Sequence, residues 1–227
     1  MPDFNFSIRL YHPLDKENVR ALCCATGFFG KPVDRIFQDK KWFADLNTNY
    51  YLKFEPDSCF IAESEGQLIG YVLGCKRPRR YGFLFYATIA VPLFFQSLSK
   101  CLTGAYDKKS RLFILGLVFK ASRQRPKKEK NASHLHMNIK EGYRTQGVGR
   151  ALGKAIVHNF DRNNIQWICG EAFHSDRIRD MSYYRPWGFR VYDKKETTLF
   201  GDKMGKIYMI SVVGNLKDPK MREIWGL

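Results

Sequence analysis

The run HLHMNIKEGYRTQGVGRAL, from His134 to Leu152, decides the fold of this chain because it combines three local signals. Apolar and polar residues alternate as far as Ile139, which predicts a β-strand. Gly147 and Gly149 follow in a short loop. Apolar residues then return at intervals of three and four from Val148 to Phe160, which predicts a helix. A strand that runs through a glycine-rich loop into a helix is typical of a phosphate-binding site.

The loop has the chemistry that a pyrophosphate requires. The first turn of a helix leaves backbone N–H groups unpaired and carries a partial positive charge. Gly147 and Gly149 have no Cβ, so the backbone can approach phosphate oxygens closely. Arg144 and Arg150 add mobile positive charge at the same point. We therefore expect an anion site here, with a plain tight turn as the alternative.

Two other nucleotide-binding motifs do not fit the loop. A P-loop needs Gly-Lys-Ser/Thr, and no such triplet follows Gly149. A dinucleotide fingerprint needs G-x-G-x-x-G and a later acidic residue. The next glycine, Gly153, comes one residue too late, and the predicted strand at 165–170 offers no such acid. The pattern therefore excludes both classes of site.

The remaining patterns predict a mixed α/β domain, 1–227, built on one central sheet. Alternation and short apolar runs predict strands at 4–10, 59–62, 68–74, 135–139, 165–170, 189–192 and 206–213. Helical spacing and caps predict helices at 15–22, 37–46, 148–160 and 176–184. Residues 59–74 form a predicted β-hairpin around Gly66. The basic tail, 217–227, is predicted to be peripheral.

The run from His134 to Leu152 resembles the cofactor segment of the GNAT N-acetyltransferases. That family carries Arg/Gln-x-x-Gly-x-Gly/Ala between a strand and a long helix, and Arg144, Gly147 and Gly149 match it. About 40 residues later the family often has a Tyr followed by Gly-Phe, matched here by Tyr184 and Gly188-Phe189. The resemblance, which includes a similar Gly-Tyr strand in the hairpin, covers residues 4–75 and 131–213.

The resemblance implies the GNAT fold, in which a mostly antiparallel, splayed sheet is flanked by helices and opens in a V. It implies transfer of an acetyl group from acetyl-CoA to a primary amine by direct attack. Tyr184 is then the general acid for the leaving thiolate. The implied acetyl-CoA contacts are Met137, Asn138, Ile139, Arg144, Thr145, Gln146, Gly147, Val148, Gly149 and Arg150.

Direct attack by an amine needs a base, and two histidines are candidates. Alternation along the strand places His134, His136 and Asn138 on one face, opposite Leu135, Met137 and Ile139. Histidine titrates near neutral pH, although either ring could instead pair with a backbone group. Glu171, His174 and Asp176 are further candidates. Arg177 stands where the family often has Asn, so a CoA-binding protein without catalysis remains an alternative.

An insertion at about 76–130 separates the two halves of the resemblance. It opens with basic residues, and the 18 residues from Tyr81 to Leu98 carry no charge. A second apolar run spans Leu112 to Phe119, and a basic loop closes the segment at 123–130. We expect a helical subdomain that packs over the sheet or on a second copy of the chain. A membrane-surface helix is an alternative, since 18 residues fall short of the ~20 that a membrane span needs.

The net charge of +16 also permits an anion-binding module on the same fold, with a membrane surface or, less favoured, nucleic acid as its partner. The acceptor is expected to be a small-molecule or peptide amine, drawn by Asp34, Asp39 or Asp45. Aromatic residues that could line its pocket, although core positions are favoured, are Phe28, Phe29, Phe37, Trp42, Tyr50 and Tyr51. The N-terminus lacks a signal-peptide pattern and the six Cys lack zinc spacing, which predicts a reduced, cytoplasmic protein.

Overall fold

Seven strands form one open sheet in the computed structural model, which describes residues 4–175, 180–199 and 206–227. The strands are β1 Ser7–Leu10, β2 Cys59–Ser64, β3 Gln67–Cys75, β4 Ser133–Ile139, β5 Trp167–His174, β6 Arg190–Thr197 and β7 Ile207–Asn215. Their order across the sheet is β1-β2-β3-β4-β5-β7-β6. Every neighbouring pair is antiparallel except β4 with β5. The predicted mixed, mostly antiparallel sheet is confirmed.

Helices cover both faces of the sheet. They are α1 Lys16–Thr26, α2 Lys40–Phe54, α3 Pro78–Phe85, α4 Val91–Leu102, α5 Lys108–Phe119, α6 Ala121–Gln124, α7 Val148–Arg162 and α8 Pro219–Trp225. Helices α1, α2 and the insertion share one hydrophobic cluster, and α7 and α8 share a second cluster on the opposite face. Alternate residues of the central strands feed the two clusters, so both faces of the sheet are buried.

The hairpin of β2 and β3 closes through Glu65 and Gly66, which both have positive φ angles, 51° and 72°. A two-residue turn of this kind matches the right-handed twist of the flanking strands. Farther along β3, Gly74 lies beneath α7, where a Cβ would overlap Ile156 and approach Phe160 to 2.9 Å. The absence of a side chain at Gly74 therefore lets α7 lie close against the sheet.

The insertion is helical. Helices α3 and α4 join through a π-helical turn, Tyr86–Ala90, into one continuous helix, Pro78–Leu102. Pro92 has no N–H, which explains why the regular hydrogen-bond ladder changes at this point. The inner side of this helix packs against α2, where Trp42 Nε1 donates to the carbonyl of Leu93 at 3.0 Å. The insertion therefore extends the core around α1 and α2.

Two predicted boundaries on the N-terminal side are wrong. The second helix was expected at 37–46, but it runs from Lys40 to Phe54 and takes in the aromatic residues expected to follow it. Phe37 precedes this helix and is fully buried, in contact with the rings of Trp42 and Phe113. The first strand begins at Ser7, and Leu10, expected inside, is exposed. Tertiary packing, which local alternation does not report, sets these limits.

The expectation that the basic tail is peripheral is also wrong. Met221 and Trp225 of α8 are buried against α7, and the indole Nε1 of Trp225 donates to the carbonyl of Trp187 at 3.0 Å. A Cβ on Gly153 of α7 would come within 2.7 Å of Trp225. The apolar residues of the tail recur at helical spacing, and the basic residues between them simply face solvent.

We predict that Trp225→Ala lowers the free energy of unfolding by about 3–5 kcal/mol, because it removes a buried indole and leaves a cavity against α7. Urea unfolding monitored by circular dichroism measures the change. Leu14→Ala is the matched control, since Leu14 is 85% exposed and its replacement should cost less than about 0.5 kcal/mol. Equal losses in the two variants would contradict a structural role for the tail.

Candidate functional site

The sheet splits between β4 and β5. Only two residue pairs join these strands, Ser133 with Ile168 and His134 with Cys169. Each strand keeps its outer partner along its length, since β4 pairs with β3 as far as Ile139 and β5 pairs with β7 as far as His174. Beyond His134, the β5-facing edge of β4 therefore has no strand partner among residues 4–175, 180–199 and 206–227. The V-shaped opening that the resemblance implied is present at this position.

The glycine loop lies at the end of β4 and starts α7. Gly147 caps the helix in the left-handed conformation, with a φ of 80°, and its carbonyl accepts the first helical bond from Ala151 at 3.0 Å. Within the described parts of the chain, no backbone N–H group from Arg144 to Arg150 makes a hydrogen bond of normal length and angle to a protein acceptor. Consecutive free N–H groups at a helix N-terminus form a site suited to phosphate oxygens.

The two glycines of the motif have different roles. A Cβ on Gly147 would meet no atom within 4 Å, so this residue is needed for its positive φ and leaves open space beside the N–H groups. A Cβ on Gly149 would lie 3.1 Å from Ile139 and 3.5 Å from Trp187. Gly149 therefore permits close packing between α7, β4 and the segment after β5, and does not itself open the loop.

The two arginines of the loop are held in place, which corrects the expectation of mobile charge. Arg144 donates to the carbonyl of Ile139 at 3.1 Å and to the carbonyl of Gly30 at 2.9 Å. Arg150 donates to the carbonyl of Ile224 at 2.9 Å and lies over the ring of Trp225. Both guanidinium groups keep their charge near the loop while fixing its shape.

A turn that the sequence patterns did not reveal bridges the mouth of the split. In the segment between α1 and α2, Phe29 and Gly30 both have positive φ angles, 49° and 80°. Lys31 forms an ion pair with Glu141 of the glycine loop. The Phe29 ring lies 6.1 Å from the ring of Phe173 on β5. The turn thus contacts both sides of the opening, and the positive φ of a bulky residue marks it as strained.

The two candidate histidines share one face of β4, as expected. His134 packs edge-on against Tyr81 of α3, with ring centroids 4.3 Å apart, and against Tyr51 of α2 at 5.6 Å. His136 packs against Tyr71 at 5.7 Å. Burial lowers the pKa of His134 to about 3 and that of His136 to about 4. Both imidazoles are therefore neutral and weakly basic at pH 7.

The other residues of β4 divide between the faces as the alternation predicts. Asn138 lies on the histidine face, where its Nδ2 donates to the hydroxyl of Tyr71 at 2.7 Å. Leu135, Met137 and Ile139 pack on the opposite face, in the α7 cluster. Any ligand in the split would therefore meet the backbone edge of this strand.

Glu171 is held by the insertion. Arg125 donates to both of its carboxylate oxygens, at 2.9 and 2.7 Å, and Lys128 Nζ lies 2.7 Å away. Burial raises the pKa of this carboxyl, but the bonds and charges of the two cations outweigh it, and the net pKa is lowered. A carboxylate stabilised in this way is a weak base. His174 is buried at the end of β5, and Asp176 and Arg177 lie outside the described residues.

Tyr184 lies on a 3-10 helix, Met181–Trp187, between β5 and β6. This differs from the predicted helix, which Pro186 was expected to halt: the helix includes Pro186 and ends at Gly188, whose φ is 76°. The beginning of the predicted helix falls outside the described residues. Trp187 packs against the first turns of α7 beside Gly149, so Tyr184 is attached to the same helix that carries the anion site.

Most aromatic and acidic candidates for the acceptor pocket belong to the core. Four of the aromatic residues are buried: Phe37, Trp42, Tyr50 and Tyr51. Asp39 pairs with Lys100, Asp45 with Arg20 and Lys41, and Asp34 with Lys40. Phe28 and Phe29 differ because they are half-buried at the mouth of the split. These two are the candidates that the structure leaves next to the opening.

No protein-family model matches the chain, and no curated protein sequence matches it. Among solved structures, SsHAT is 20% identical, with a TM-score of 0.66 over 94% of this chain and 100% of that one. The polyamine N-acetyltransferase of Drosophila melanogaster is 13% identical, with a TM-score of 0.53 over 93% and 100% of the two chains. The ribosomal-protein-S18-alanine N-acetyltransferase of Escherichia coli is 12% identical, with a TM-score of 0.52 over 94% and 96%.

These likenesses identify the class of fold. TM-scores of 0.52 to 0.66 over at least 93% of this chain show that its sheet and helices are arranged as in these structures. The chain therefore has the GNAT fold, as the motifs around Gly147 and Tyr184 predicted.

We predict that His134 and His136 stay neutral down to about pH 5, because both pKa values lie far below the ordinary 6.5. The unfolded chain binds these protons below pH 6.5 and the folded chain does not. Acidification from about pH 7 to about pH 5 should therefore lower the free energy of unfolding by about 1–2 kcal/mol for each ring. Nitrogen-15 NMR titration and urea unfolding measure the two effects.

His134→Gln and His136→Gln serve as controls, since each should remove one part of this pH dependence. A ring that titrates near pH 6.5 in the folded protein would show that its environment is polar and open.

Proposed function

We propose that this protein is an N-acetyltransferase that moves an acetyl group from acetyl-CoA to a primary amine of a small molecule or peptide. The observation that carries the proposal is the meeting of two features at the end of β4. The sheet opens after His134, and the N–H groups from Arg144 to Arg150 are free at that opening. One feature offers a strand edge for an extended ligand, and the other offers an anion site.

The residues at this opening fit two adjoining parts of CoA, the pyrophosphate and the pantetheine arm. The N–H groups of Gln146 to Arg150 suit the pyrophosphate, beside the open space at Gly147. The unpaired edge of β4 from Met137 to Ile139 suits the amides of the pantetheine arm, which can add to the strand as a further backbone would. The acetyl thioester of this ligand supplies an activated acyl group with a good leaving thiolate.

The transfer forms a nitrogen–carbon bond to the acetyl group and breaks the carbon–sulfur bond. The amine must lose a proton, and the departing sulfur can accept one. Tyr184 is proposed as the acid that donates to sulfur. His134 and His136 are the proposed bases, and the neutral ring would accept a hydrogen bond that orients the amine. The proton that the nitrogen loses would leave through that ring to solvent water, because the low pKa values let a ring hold it only briefly. Positioning of the amine then contributes more than proton affinity.

We place the acceptor at the Phe28–Phe29 turn. Its two aromatic side chains stand at the mouth of the split, and Phe29 touches Phe173 on the far strand. Apolar walls at this point favour an amine attached to an apolar or extended carbon skeleton. The polyamine and ribosomal-protein acetyltransferases of similar fold act on very different amines, so the fold alone does not select between them.

We predict that Gly147→Asp weakens acetyl-CoA binding by at least about 100-fold, measured by calorimetry. The new carboxylate would sit beside the free N–H groups, where it repels the pyrophosphate. Gly147→Asn is the matched control, because Asn has the same shape and tolerates the φ of 80° equally well. Asn should weaken binding by no more than about tenfold. Equal and small effects of both variants would place the cofactor elsewhere.

We predict that Tyr184→Phe lowers kcat by about 10- to 100-fold and changes the KM for acetyl-CoA by less than about twofold. Release of free thiol with a panel of amines measures both constants. Tyr183→Phe, on the neighbouring exposed tyrosine, is the control and should retain full activity. An unchanged kcat in Tyr184→Phe would remove it from the chemistry. Tight acetyl-CoA binding without thiol release for any amine would favour the non-catalytic alternative.

A further inference from the structure

The insertion presents an uncharged apolar surface to solvent. On the continuous helix Pro78–Leu102, the exposed large side chains include Phe83, Tyr86, Val91, Phe95, Leu98 and Leu102. The step from Tyr86 to Val91 spans the π-helical turn, which takes one extra residue, so the stripe stays on one side of the helix. A solvent-facing helix side normally carries charged residues, and from Tyr81 to Leu98 this helix has none.

Helix α5 adds a second apolar stripe of the same kind. Leu112, Leu115, Val118 and Phe119 are exposed at helical spacing. The inner sides of both helices pack into one cluster, where Leu93 contacts Trp42 and Phe113 contacts Phe37. The outer sides therefore both face away from the domain. We call the two stripes together the outer face. An exposed apolar area of this extent marks an interaction surface.

Positive charge brackets the outer face. Residues 76–130 contain 14 Lys and Arg against two acidic residues, a net +12 out of the chain's +16. Four of these cations pair with carboxylates and so contribute less to the border: Lys76, Lys100, Arg125 and Lys128. Arg79 and Arg80 are exposed one turn before Phe83, and within the described residues neither forms an ion pair. Lys108 and Arg111 are exposed at the start of α5, before Leu112. The partner of such a surface must be apolar in its interior and negatively charged at its boundary.

We propose that the outer face docks on the surface of an anionic phospholipid bilayer. The aromatic and aliphatic side chains would enter the boundary between headgroups and acyl chains, and the flanking cations would contact lipid phosphates. Two signals of this kind, apolar area and a polybasic border, are what stable peripheral attachment requires. A second copy of this chain would cover the apolar stripe, but it would bring the same basic border and the same net charge of +16, which repel the first copy.

Docking fits the structure better than spanning does. Among the described residues, Pro78–Leu102 is the one helix that is long and apolar enough to cross a bilayer. Of its most apolar 18 residues, 17% are buried in the protein. However, the chain must return to β4, and the apolar run of α5, Leu112 to Phe119, has eight residues, or about 12 Å. The hydrocarbon core is about 30 Å thick, so α5 cannot make the return. Tyr81 and Leu93 also hold the inner side against the domain.

Vesicle sedimentation with the full purified chain tests the proposal. Phosphatidylcholine vesicles with about one-third phosphatidylserine should bind the protein, and vesicles of phosphatidylcholine alone should bind it at least about tenfold more weakly. Raising the salt from about 0.1 M to about 0.5 M should weaken binding, because shorter screening lengths reduce the attraction. Failure to sediment with the anionic vesicles at low salt would overturn the proposal.

Two pairs of variants locate the surface. Phe83→Ser with Phe95→Ser should weaken vesicle binding by at least about tenfold. Leu10→Ser with Leu14→Ser, on exposed residues far from the insertion in sequence, should leave it unchanged. Arg79→Gln with Arg80→Gln should weaken it about tenfold, while Lys16→Gln with Lys220→Gln should not. If test and control variants weakened vesicle binding equally, binding would arise from net charge or nonspecific adsorption, and the proposal of a defined docking surface would be wrong.

Two further outcomes would assign the outer face differently. A dimer in light scattering that Phe83→Ser with Phe95→Ser dissociates, without vesicle binding, would give the face to a second copy. Recovery from cells only in detergent, after alkaline carbonate washing, would indicate a spanning helix. Acetyl-CoA binding in vesicle-free buffer should be the same for all variants, so loss of the proposed transferase activity and loss of docking are separable.

Discussion

The structure depends on the early separation of β4 from β5. After His134 and Cys169 the two strands no longer pair, while each remains bonded to its outer neighbour. A strand edge in a protein interior must find other hydrogen-bond partners, or a ligand must supply them. The opening therefore cannot be filled by packing alone, and the glycine loop, the Phe29 turn and the insertion are all arranged around it.

Close approach of α7 fixes the rest of the site to this opening. Gly149 and Gly153 lie one turn apart on α7 and receive the side chains of Trp187 and Trp225. Trp187 is the last residue of the 3-10 helix that carries Tyr184, and the indole N–H of Trp225 donates to the carbonyl of Trp187. Small residues on one face of a helix thus determine where a tyrosine from another part of the chain is placed. The same face also sets the position of the free N–H groups.

The inner side of the insertion contacts the site, and its outer side faces solvent. Tyr81 packs against His134, and Arg125 and Lys128 hold Glu171 on β5. These contacts tie the insertion to both strands of the split, which explains why its helices are ordered against the domain. The outer side has no comparable partner in the described parts of the chain. A segment fixed to the site by one face and apolar on the other can place the opening near a bilayer.

The sequence by itself determined the elements and the motif. Alternation along β4, glycines at 147 and 149 and the spacing of α7 are local properties, and local backbone sterics and periodicity are enough to predict them. The order of strands and helices along the chain followed from the same patterns, and so did the division of β4 into a histidine face and an apolar face. The boundaries of α2 and the burial of α8 did not follow, because they depend on contacts between distant segments.

Tertiary structure alone decided what the individual residues can do. The sequence motif predicts that Arg144 binds phosphate, but in the structure its guanidinium donates to the carbonyls of Gly30 and Ile139. The sequence predicts His134 as a base, but Tyr51 and Tyr81 pack against its ring, and burial lowers its pKa. Protonation and hydrogen bonding depend on the dielectric and the neighbours at each point in space. Those neighbours come from residues far apart in the chain, so no local pattern in the sequence contains them.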